Sequence, residues 1–495
     1  MEIGRLLFPA LRWRDGTGFD HEAETIDAAL ELGAGGFILF GGEAGAVKEL
    51  TMSLRRRAAR PLLIGADLER GAGQQFRGAT PLPPLAAIGA LDELDTTRRA
   101  GELTAREALA LGVNWVFAPV ADLDIEPRNP IVGTRAFGAD PARVSEHVVA
   151  WVGGCRAAGA LACVKHFPGH GRTTADSHVE LPRVEADRAA LEADLAPFRA
   201  AIRAGVDSVM TAHVAFPALV PSGLAATLSP AILGGLLRGE LGFGGIIVTD
   251  AMIMEGVLES GHGEATAAVT AVAAGCDALL YPADVRLVAD AVAGAVGREI
   301  PESRANEAIR RIEEAAARAD AAVARASMEA SRADGRDRVA WGAAGDRAWA
   351  LEIARRSLVA ARGAPRLPAT EVRVVTVDDD VGGPYPPGPR DAFPDTLRAR
   401  GVDVVESGVA PADRPTIVAL YADIRAWKGR PGISAGARDA AATALAGAGS
   451  GIVVLFGHPR LAAELPDGVP VLAAWGGEPL MQEAAAEWLA AGENR

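Results

Sequence analysis

The chain has 495 residues, of which 49% are hydrophobic and 23% charged, a globular composition that exceeds one ordinary domain. Its formal net charge of -14 disfavours nucleic acid and anionic membranes as partners, because both would repel it. With no signal-peptide leader, no bilayer-spanning apolar run and only three cysteines that form no CxxC pair, the sequence favours a cytoplasmic protein with reduced thiols.

Short apolar runs alternate with helix-patterned stretches through the first part of the chain. The runs lie at 3–8, 36–40, 62–66, 115–119, 161–165, 208–212, 245–249 and 277–281. They do not alternate polar and apolar residues, as expected of strands buried on both faces. Helical spacing occupies 92–111, 142–158, 188–204 and 263–274 between them. The order and number of units predict an α/β fold of the (β/α)8 TIM-type barrel class, and they disfavour an open doubly wound sheet.

A second pattern begins after two further helical stretches at 284–296 and 303–324. The polar segment 331–337 indicates a linker. A helix at 346–362 then precedes candidate strands at 372–377, 416–421, 452–456 and 471–475. We predict a barrel over 1–330, a linker over 331–345 and a smaller α/β domain with a parallel sheet over 346–495.

Ionisable side chains recur where the apolar runs of the barrel stop. They are Asp67, Asp122, Lys165, His166, His213 and Asp250. Any strand must end in something polar, which explains one or two such residues. A series made only of Asp, His and Lys is better explained by an active site, because barrel enzymes build theirs at the carboxyl ends of the strands.

The segment 165–178 reads KHFPGHGRTTADSH, and its proline and glycines predict a loop. Side chains two residues apart can face the same way, so Asp176 can accept a hydrogen bond from one ring nitrogen of His178. A histidine held in this way can give and take a proton at neutral pH. Asp-x-His alone also fits a loop histidine beside a helix-capping aspartate, but within this loop we favour catalysis.

Asp250 ends the run 245–249 and is followed by apolar residues. A carboxylate at a strand tip is rigid, points inward and is shielded from water, which suits a covalent nucleophile. The alternative is a cap for the next helix, worth about 1 kcal/mol. A metallohydrolase is a further alternative, with zinc or iron held by His166, His170, His178, His213 and Asp250. It leaves Asp176 and Lys165 without a clear place, so we expect no metal.

The KHFPGHG segment followed by Asp-Ser-His resembles family 3 glycoside hydrolases of the β-N-acetylglucosaminidase type. The segments APVAD (118–122), TRAFG (134–138), VMTAH (209–213) and IVTD (247–250) are also similar to that family. The resemblance covers roughly residues 1–325, nearly all of the predicted barrel. Two departures concern the sugar site: Arg70 stands where the family has a glycine, and Ala251 where many members have a second acid.

The resemblance implies a retaining, exo-acting hydrolase that works by double displacement without a cofactor. It implies Asp250 as the nucleophile, His178 as the acid/base and Asp176 as its partner. The implied sugar-binding residues are Asp67, Arg135, Lys165, His166 and His213. The implied substrate is terminal β-linked N-acetylglucosamine on anhydro-muramyl fragments, which places the enzyme in cell-wall (peptidoglycan) recycling.

Three alternatives stay open at this point. The first two are a β-glucosidase and a phosphorylase of the same family, the latter because a neutral histidine would not repel phosphate. The third, from a different class, is a non-catalytic sugar-binding protein. The second domain receives no catalytic residue, and the sequence does not predict the oligomeric state.

Overall fold

The computed structural model describes residues 2–332, 340–381, 387–406, 413–424 and 428–492. The chain packs into two compact units. The first contains Met1–Pro81, Glu93–Ile125 and Gly138–Asp346, and the second contains Leu82–Asp92, Glu126–Phe137 and Arg347–Arg495. The division into 1–330, 331–345 and 346–495 stays a prediction, and residues 333–339 of its linker lie outside the described residues. Within the described ranges, no helix is long and apolar enough to cross a membrane.

The strands of the first unit form a closed parallel ring. They are β1 (Leu7–Phe8), β2 (Ala10–Arg12), β3 (Gly36–Phe40), β4 (Leu63–Ala66), β5 (Trp115–Val116), β6 (Leu161–Phe167), β7 (Ser208–Thr211), β8 (Ile246–Val248) and β9 (Leu279–Leu280). Strands β2 to β8 pair in chain order. Strand β1 pairs with β9, and a bridge from Val248 to Ala278 joins β8 to β9. Strands β1 and β2 are separated only by Pro9 and together occupy one position of the ring. The nine strands therefore fill the eight positions of a TIM-type barrel, as predicted.

The first strand begins later than the sequence predicts. Residues Ile3–Leu6 form a 3-10 turn, and pairing starts at Leu7. Gly4 lies so near the chain at Leu32 that a Cβ would sit 1.8 Å from that residue's carbonyl oxygen. The Arg5 guanidinium donates to two further backbone carbonyls. These tertiary contacts fix the turn, and local hydropathy does not show them.

The helices within residues 2–332 include all six predicted stretches and four elements that the sequence did not predict, Ala23–Glu31, Ala44–Arg57, Leu85–Leu91 and Glu255–Gly261. In chain order the helices are α1 (Ala23–Glu31), α2 (Ala44–Arg57), α3 (Leu85–Leu91), α4 (Leu94–Ala110), α5 (Pro141–Ala158), α6 (Arg188–Arg203), α7 (Glu255–Gly261), α8 (Glu264–Ala274), α9 (Val285–Ala295) and α10 (Glu302–Arg332), with a π-helical segment at Ala231–Glu240. Local chemistry sets several ends. For α5, Asp140 caps the first turn through two backbone amides, and Gly159 ends the helix at a φ of 101°.

Ion pairs connect helix α10 to Asp277, just before the amino-terminal end of β9. Asp277 is fully buried and accepts hydrogen bonds from Arg238 at 2.6 Å and from Arg311 at 3.2 Å, as well as from Arg304. The backbone amide of Ile247 donates to the same carboxylate at 2.9 Å. This cluster lies at the opposite end of the strands from the predicted site, which marks it as structural.

The second unit contains a six-stranded sheet in the order β10-β15-β14-β13-β11-β12. Its strands are β10 (Val359–Arg362), β11 (Glu371–Asp378), β12 (Asp403–Glu406), β13 (Thr416–Tyr421), β14 (Gly451–Phe456) and β15 (Val471–Ala473), and the helices are α11 (Ala344–Ser357), α12 (Ala392–Ala399), α13 (Ala435–Ala446) and α14 (Pro479–Ala490). All pairings are parallel except that of β10 with β15. The sheet buries apolar side chains on both faces, which confirms the α/β class.

Two details of this unit differ from the prediction. The helix expected over 346–362 ends at Ser357, and residues 359–362 form the antiparallel edge strand β10. The Arg362 guanidinium there donates to four backbone carbonyls, including Pro466 at 2.6 Å. Strand β12 was not predicted at all. In both cases the pairing partner decides the conformation, because the local residues suit either state.

Candidate active site

Asp250 lies two residues after the end of β8, at the carboxyl end of the seventh strand position of the barrel. Its Oδ1 accepts a hydrogen bond of 2.8 Å from the backbone amide of Ala251. Burial alone would raise the pKa of this carboxyl, but electrostatic interactions with His166, His213 and His178, together with the hydrogen bond from the Ala251 amide, lower it to about 2. The structure therefore gathers three of the predicted histidines around a carboxylate that stays ionised near neutral pH.

His178 lies at the far end of the loop that follows β6, as an immediate partner of Asp176. The Oδ1 atom of Asp176 accepts from Nδ1 of His178 at 2.8 Å and from its backbone amide at 2.9 Å. The Asp176 side chain is 6% exposed and that of His178 is 20% exposed. Because a carboxylate can only accept, Nδ1 is the donor, and the proton that the ring exchanges is carried by Nε2.

His166 and Asp122 join the start of this loop to the neighbouring strand end. Nδ1 of His166 donates to Oδ2 of Asp122 at 2.7 Å, and the backbone amide of His170 donates to Oδ1 at 2.6 Å. Burial would raise the pKa of Asp122, but the two histidines lower it below its usual range. A fully buried carboxylate thus fixes both the ring of His166 and the backbone of the loop.

The middle of the loop packs closely against Leu123 and against helix α6. A Cβ on Gly171 would lie 2.1 Å from the carbonyl oxygen of Leu123, so only glycine fits there. Arg172 donates through Nε to Oδ2 of Asp194 on α6 at 2.6 Å. Burial raises the pKa of Asp194, and the Arg172 charge opposes that rise. The loop is therefore ordered by packing and by an ion pair as well as by its own turns.

Lys165 is almost completely buried, with a side chain that is 2% exposed. Its Nζ lies 2.6 Å from Oδ1 of Asp67 and 2.7 Å from Oε1 of Glu69. The Asp67 side chain is 29% exposed, whereas that of Glu69 is 6% exposed. The lysine predicted to hold a sugar hydroxyl is thus engaged by two carboxylates, and its direct effect is to orient Asp67.

His213 follows β7, and both of its ring nitrogens have partners within the protein. Nε2 donates to the carbonyl oxygen of Ala251 at 3.1 Å, and Nδ1 lies 2.8 Å from the hydroxyl of Thr227. Burial lowers the pKa of His213, which favours the neutral ring. His213 therefore faces the backbone that follows Asp250, whereas the sequence predicted that it contacts substrate.

Arg135 belongs to the second compact unit, within the segment Glu126–Phe137. In that unit the neighbouring Thr134 is fully buried, and its hydroxyl donates to Asp423 at 3.2 Å. The guanidinium of Arg135 donates to the Ile131 carbonyl at 3.4 Å. The loop residue predicted to bind sugar is thus held by contacts of the second unit.

The metal-ligand arrangement considered from the sequence is not formed by these side chains. Among the described residues, no group of three or more His, Cys, Asp or Glu side chains converges as metal ligands do. Two of the histidines concerned use both ring nitrogens in hydrogen bonds: His213 as above, and His170 with Thr173 at 2.7 Å and Ser177 at 3.1 Å.

The structure adds residues that the sequence reasoning did not place in the site. Glu69 was visible as the second carboxylate of Asp-Leu-Glu, and a buried lysine beside one carboxylate was a reason to look for another. Asp122 was recognised as a strand end but not as the anchor of His166. The part played by Ser177 depends on how the loop folds back, and the sequence carries no signal for that.

Comparison with known proteins relates this site to a family. Residues 4–315 match the model described as glycosyl hydrolase family 3 N terminal domain. A beta-hexosaminidase of Tolumonas auensis is 39% identical over 276 residues, which are 54% of this chain and 80% of the relative. Another from Alkalilimnicola ehrlichii is 40% identical over 286 residues, 56% of this chain and 80% of the relative.

Solved structures extend the comparison to both units. A glycoside hydrolase family 3 beta-N-acetylglucosaminidase from Paenibacillus sp. str. FPU-7 has a TM-score of 0.83 at 29% identity, covering 100% of this chain and 96% of that one. A beta-glucoside phosphorylase has a TM-score of 0.84 at 22% identity over 100% of this chain and 91% of that one, which shows a common fold alone. Because the family model covers well over half of the sequence, the chain belongs to glycosyl hydrolase family 3 and is a glycoside hydrolase.

Proposed function

We propose that this chain is a retaining, exo-acting β-N-acetylglucosaminidase that releases terminal β-linked N-acetylglucosamine. The observation that carries the proposal is the Asp176–His178 pair, 2.8 Å apart, beside a partly buried and ionised Asp250. A carboxylate and a proton donor are the two groups that double displacement requires. The sugar is supported by the names of the relatives and of the Paenibacillus structure.

In the first step, an oxygen of Asp250 attacks the anomeric carbon and forms a glycosyl ester. The bond from that carbon to the leaving oxygen breaks, and Nε2 of His178 gives its proton to that oxygen. The charge of Asp176 stabilises the protonated ring before transfer and holds it in place. In the second step, Nε2 accepts a proton from water, the water oxygen bonds to the anomeric carbon, and Asp250 leaves as a carboxylate.

The strand ends around Asp250 supply the proposed sugar contacts. Asp67, which Lys165 orients, presents a partly exposed carboxylate for hydroxyl groups. We assign His166 and Arg135 to the sugar by resemblance alone. For His213 we propose an indirect role, since its Nε2 holds the Ala251 carbonyl next to the nucleophile.

The natural aglycone and the compartment are part of the same proposal. We propose anhydro-muramyl fragments of recycled cell wall as the source of substrate, and the cytoplasm as the location. The first rests on the resemblance of the histidine loop. The second is supported by three cysteines that are buried as free thiols.

The test is an assay of the purified protein on aryl β-N-acetylglucosaminide and aryl β-glucoside, beside Asp250→Ala. We expect hydrolysis of the first substrate, little of the second and near-complete loss in the variant. The same assay with and without inorganic phosphate separates hydrolysis from phosphorolysis. Phosphorolysis is the alternative because a neutral histidine would not repel phosphate. Sugar 1-phosphate as the main product would replace the hydrolase with a phosphorylase, and sugar binding without turnover would indicate a binding protein.

A further inference from the structure

We propose that Ser177 is a positioning residue that sets the place of the acid/base His178 relative to the nucleophile Asp250. This inference rests on the proposed function. Ser177 stands between the two members of the Asp176–His178 pair and is 2% exposed. It is tied on one side to the strand end at Asp122 and on the other to the segment after Asp250.

The first tie runs through His170. Nε2 of His170 lies 3.1 Å from the hydroxyl of Ser177, and Nδ1 lies 2.7 Å from the hydroxyl of Thr173. The backbone of His170 is in turn anchored by Oδ1 of the buried Asp122 at 2.6 Å. His170 is itself 2% exposed, so these bonds form where water does not compete. Through His170, these hydrogen bonds link Asp122, in the loop after β5, to Ser177, the residue before His178.

The second tie runs through the backbone of Gly256. Its amide donates to the carbonyl oxygen of Ser177 at 3.2 Å. A Cβ on Gly256 would lie 3.1 Å from the carbonyl oxygens of Ser177, Glu180 and His213, so the two segments are in close contact. Gly256 lies six residues after Asp250 in the sequence, at the start of α7. Ser177 is thus the junction between the loop of the acid/base and the segment of the nucleophile.

This junction matters because proton transfer depends on distance. General acid catalysis contributes on the order of 100- to 10,000-fold, and a shift of about 1 Å can remove on the order of 100-fold. Loss of the Ser177 hydroxyl leaves Asp176, His178 and Asp250 chemically intact. It releases the loop from His170, so the defect is confined to delivery of the proton.

The experiment compares Ser177→Ala with wild type on a poor and on an activated leaving group. An N-acetylglucosamine disaccharide needs a proton on its leaving oxygen, whereas a dinitrophenyl glycoside does not. We expect kcat/KM to fall about 10- to 100-fold on the disaccharide and less than about threefold on the dinitrophenyl glycoside. With the latter, kcat and KM should fall together, because base catalysis of the second step is also weakened.

Two variants of His170 test the tie independently of the serine. The amide of Gln reaches the place of Nε2, so His170→Gln keeps a partner for Ser177, whereas the shorter Asn of His170→Asn reaches only the place of Nδ1. We expect His170→Asn to show the leaving-group defect and His170→Gln to show less of it. Ser145→Ala, which removes a hydroxyl bonded only to the Pro141 carbonyl of α5, is the matched control.

The outcomes separate this inference from the function on which it rests. Turnover by the wild type that is lost in Asp250→Ala supports the proposed function, whatever the result for Ser177→Ala. An equal fall on both leaving groups, or no fall in Ser177→Ala and His170→Asn, overturns the positioning role. No wild-type turnover of any N-acetylglucosaminide would instead remove the proposed function.

Discussion

Replacement of Lys165 by methionine keeps the shape of a buried side chain and removes its charge. The Nζ atom lies 2.6 Å from Asp67 and 2.7 Å from Glu69, and the lysine is 2% exposed. Breaking a buried ion pair by removing one partner costs about 3–5 kcal/mol. Water reaches the 29% exposed Asp67, so we expect the free energy of unfolding to fall by about 2–3 kcal/mol.

A second substitution separates the stability effect from the effect on activity. In Lys165→Met/Glu69→Gln, a neutral amide replaces the carboxylate that would be left buried and unpaired, so about 1–2 kcal/mol should return. Activity should not return, because Asp67 still lacks the lysine that orients it. We expect kcat/KM to stay at least about 10-fold below wild type in both variants.

Urea unfolding and steady-state kinetics measure the two quantities on the same samples. Lys48→Met is the matched control, because Lys48 lies on α2 with its Nζ 5.3 Å from the ring of Trp341. It should cost less than about 1 kcal/mol and leave kcat/KM unchanged. If Lys165→Met unfolds like wild type, or if the double variant is less stable than the single one, Lys165 does not stabilise the two carboxylates as described.

Three further outcomes follow from other contacts. The pKa of Asp250 is lowered to about 2, so the nucleophile stays ionised as pH falls to about 4, and any acid limb of kcat/KM above that pH must belong to another group. An acid limb above pH 4 that persists on a dinitrophenyl glycoside when His178 is replaced would contradict this. Asp277→Asn should lower the free energy of unfolding by about 3 kcal/mol, because three partly buried arginines lose the buried carboxylate that they share. Calorimetry showing an unchanged melting temperature would count against it. Asp176→Asn should reduce kcat/KM on a disaccharide about 10- to 100-fold, while a dinitrophenyl glycoside shows little change; equal losses would argue against the His178 pair.

The barrel could be predicted because its strands are buried on both faces and because α5, α6 and α9 each begin at a capping aspartate. The run at 36–40 and the helix ending at Gly159 are set by residues that lie within the element itself. The turn at Ile3–Leu6 and the edge strand β10 could not be predicted, because the conformation of each depends on a partner that is distant in the sequence. The segment Glu126–Phe137 illustrates the same limit, since it lies early in the chain but packs with the second unit.

The site shows a similar division between local and distant information. The pairing of Asp176 with His178 needs only a short turn, and the sequence predicted it from the spacing. The partners of Lys165 and His213 come from other strand ends, so their neighbours could not be read from the sequence. His213 in particular was expected to meet substrate, whereas its ring nitrogens bind Thr227 and the Ala251 carbonyl.

Trapping of the covalent intermediate identifies the nucleophile directly. A fluorinated N-acetylglucosaminyl substrate that slows the second step, followed by proteolysis and mass spectrometry, locates the sugar on the chain. We expect one glycosyl group on the peptide that contains Asp250, absent from Asp250→Ala. A glycosyl group on any other residue, or turnover that inverts the anomeric carbon with no labelled peptide, would contradict the double displacement at Asp250.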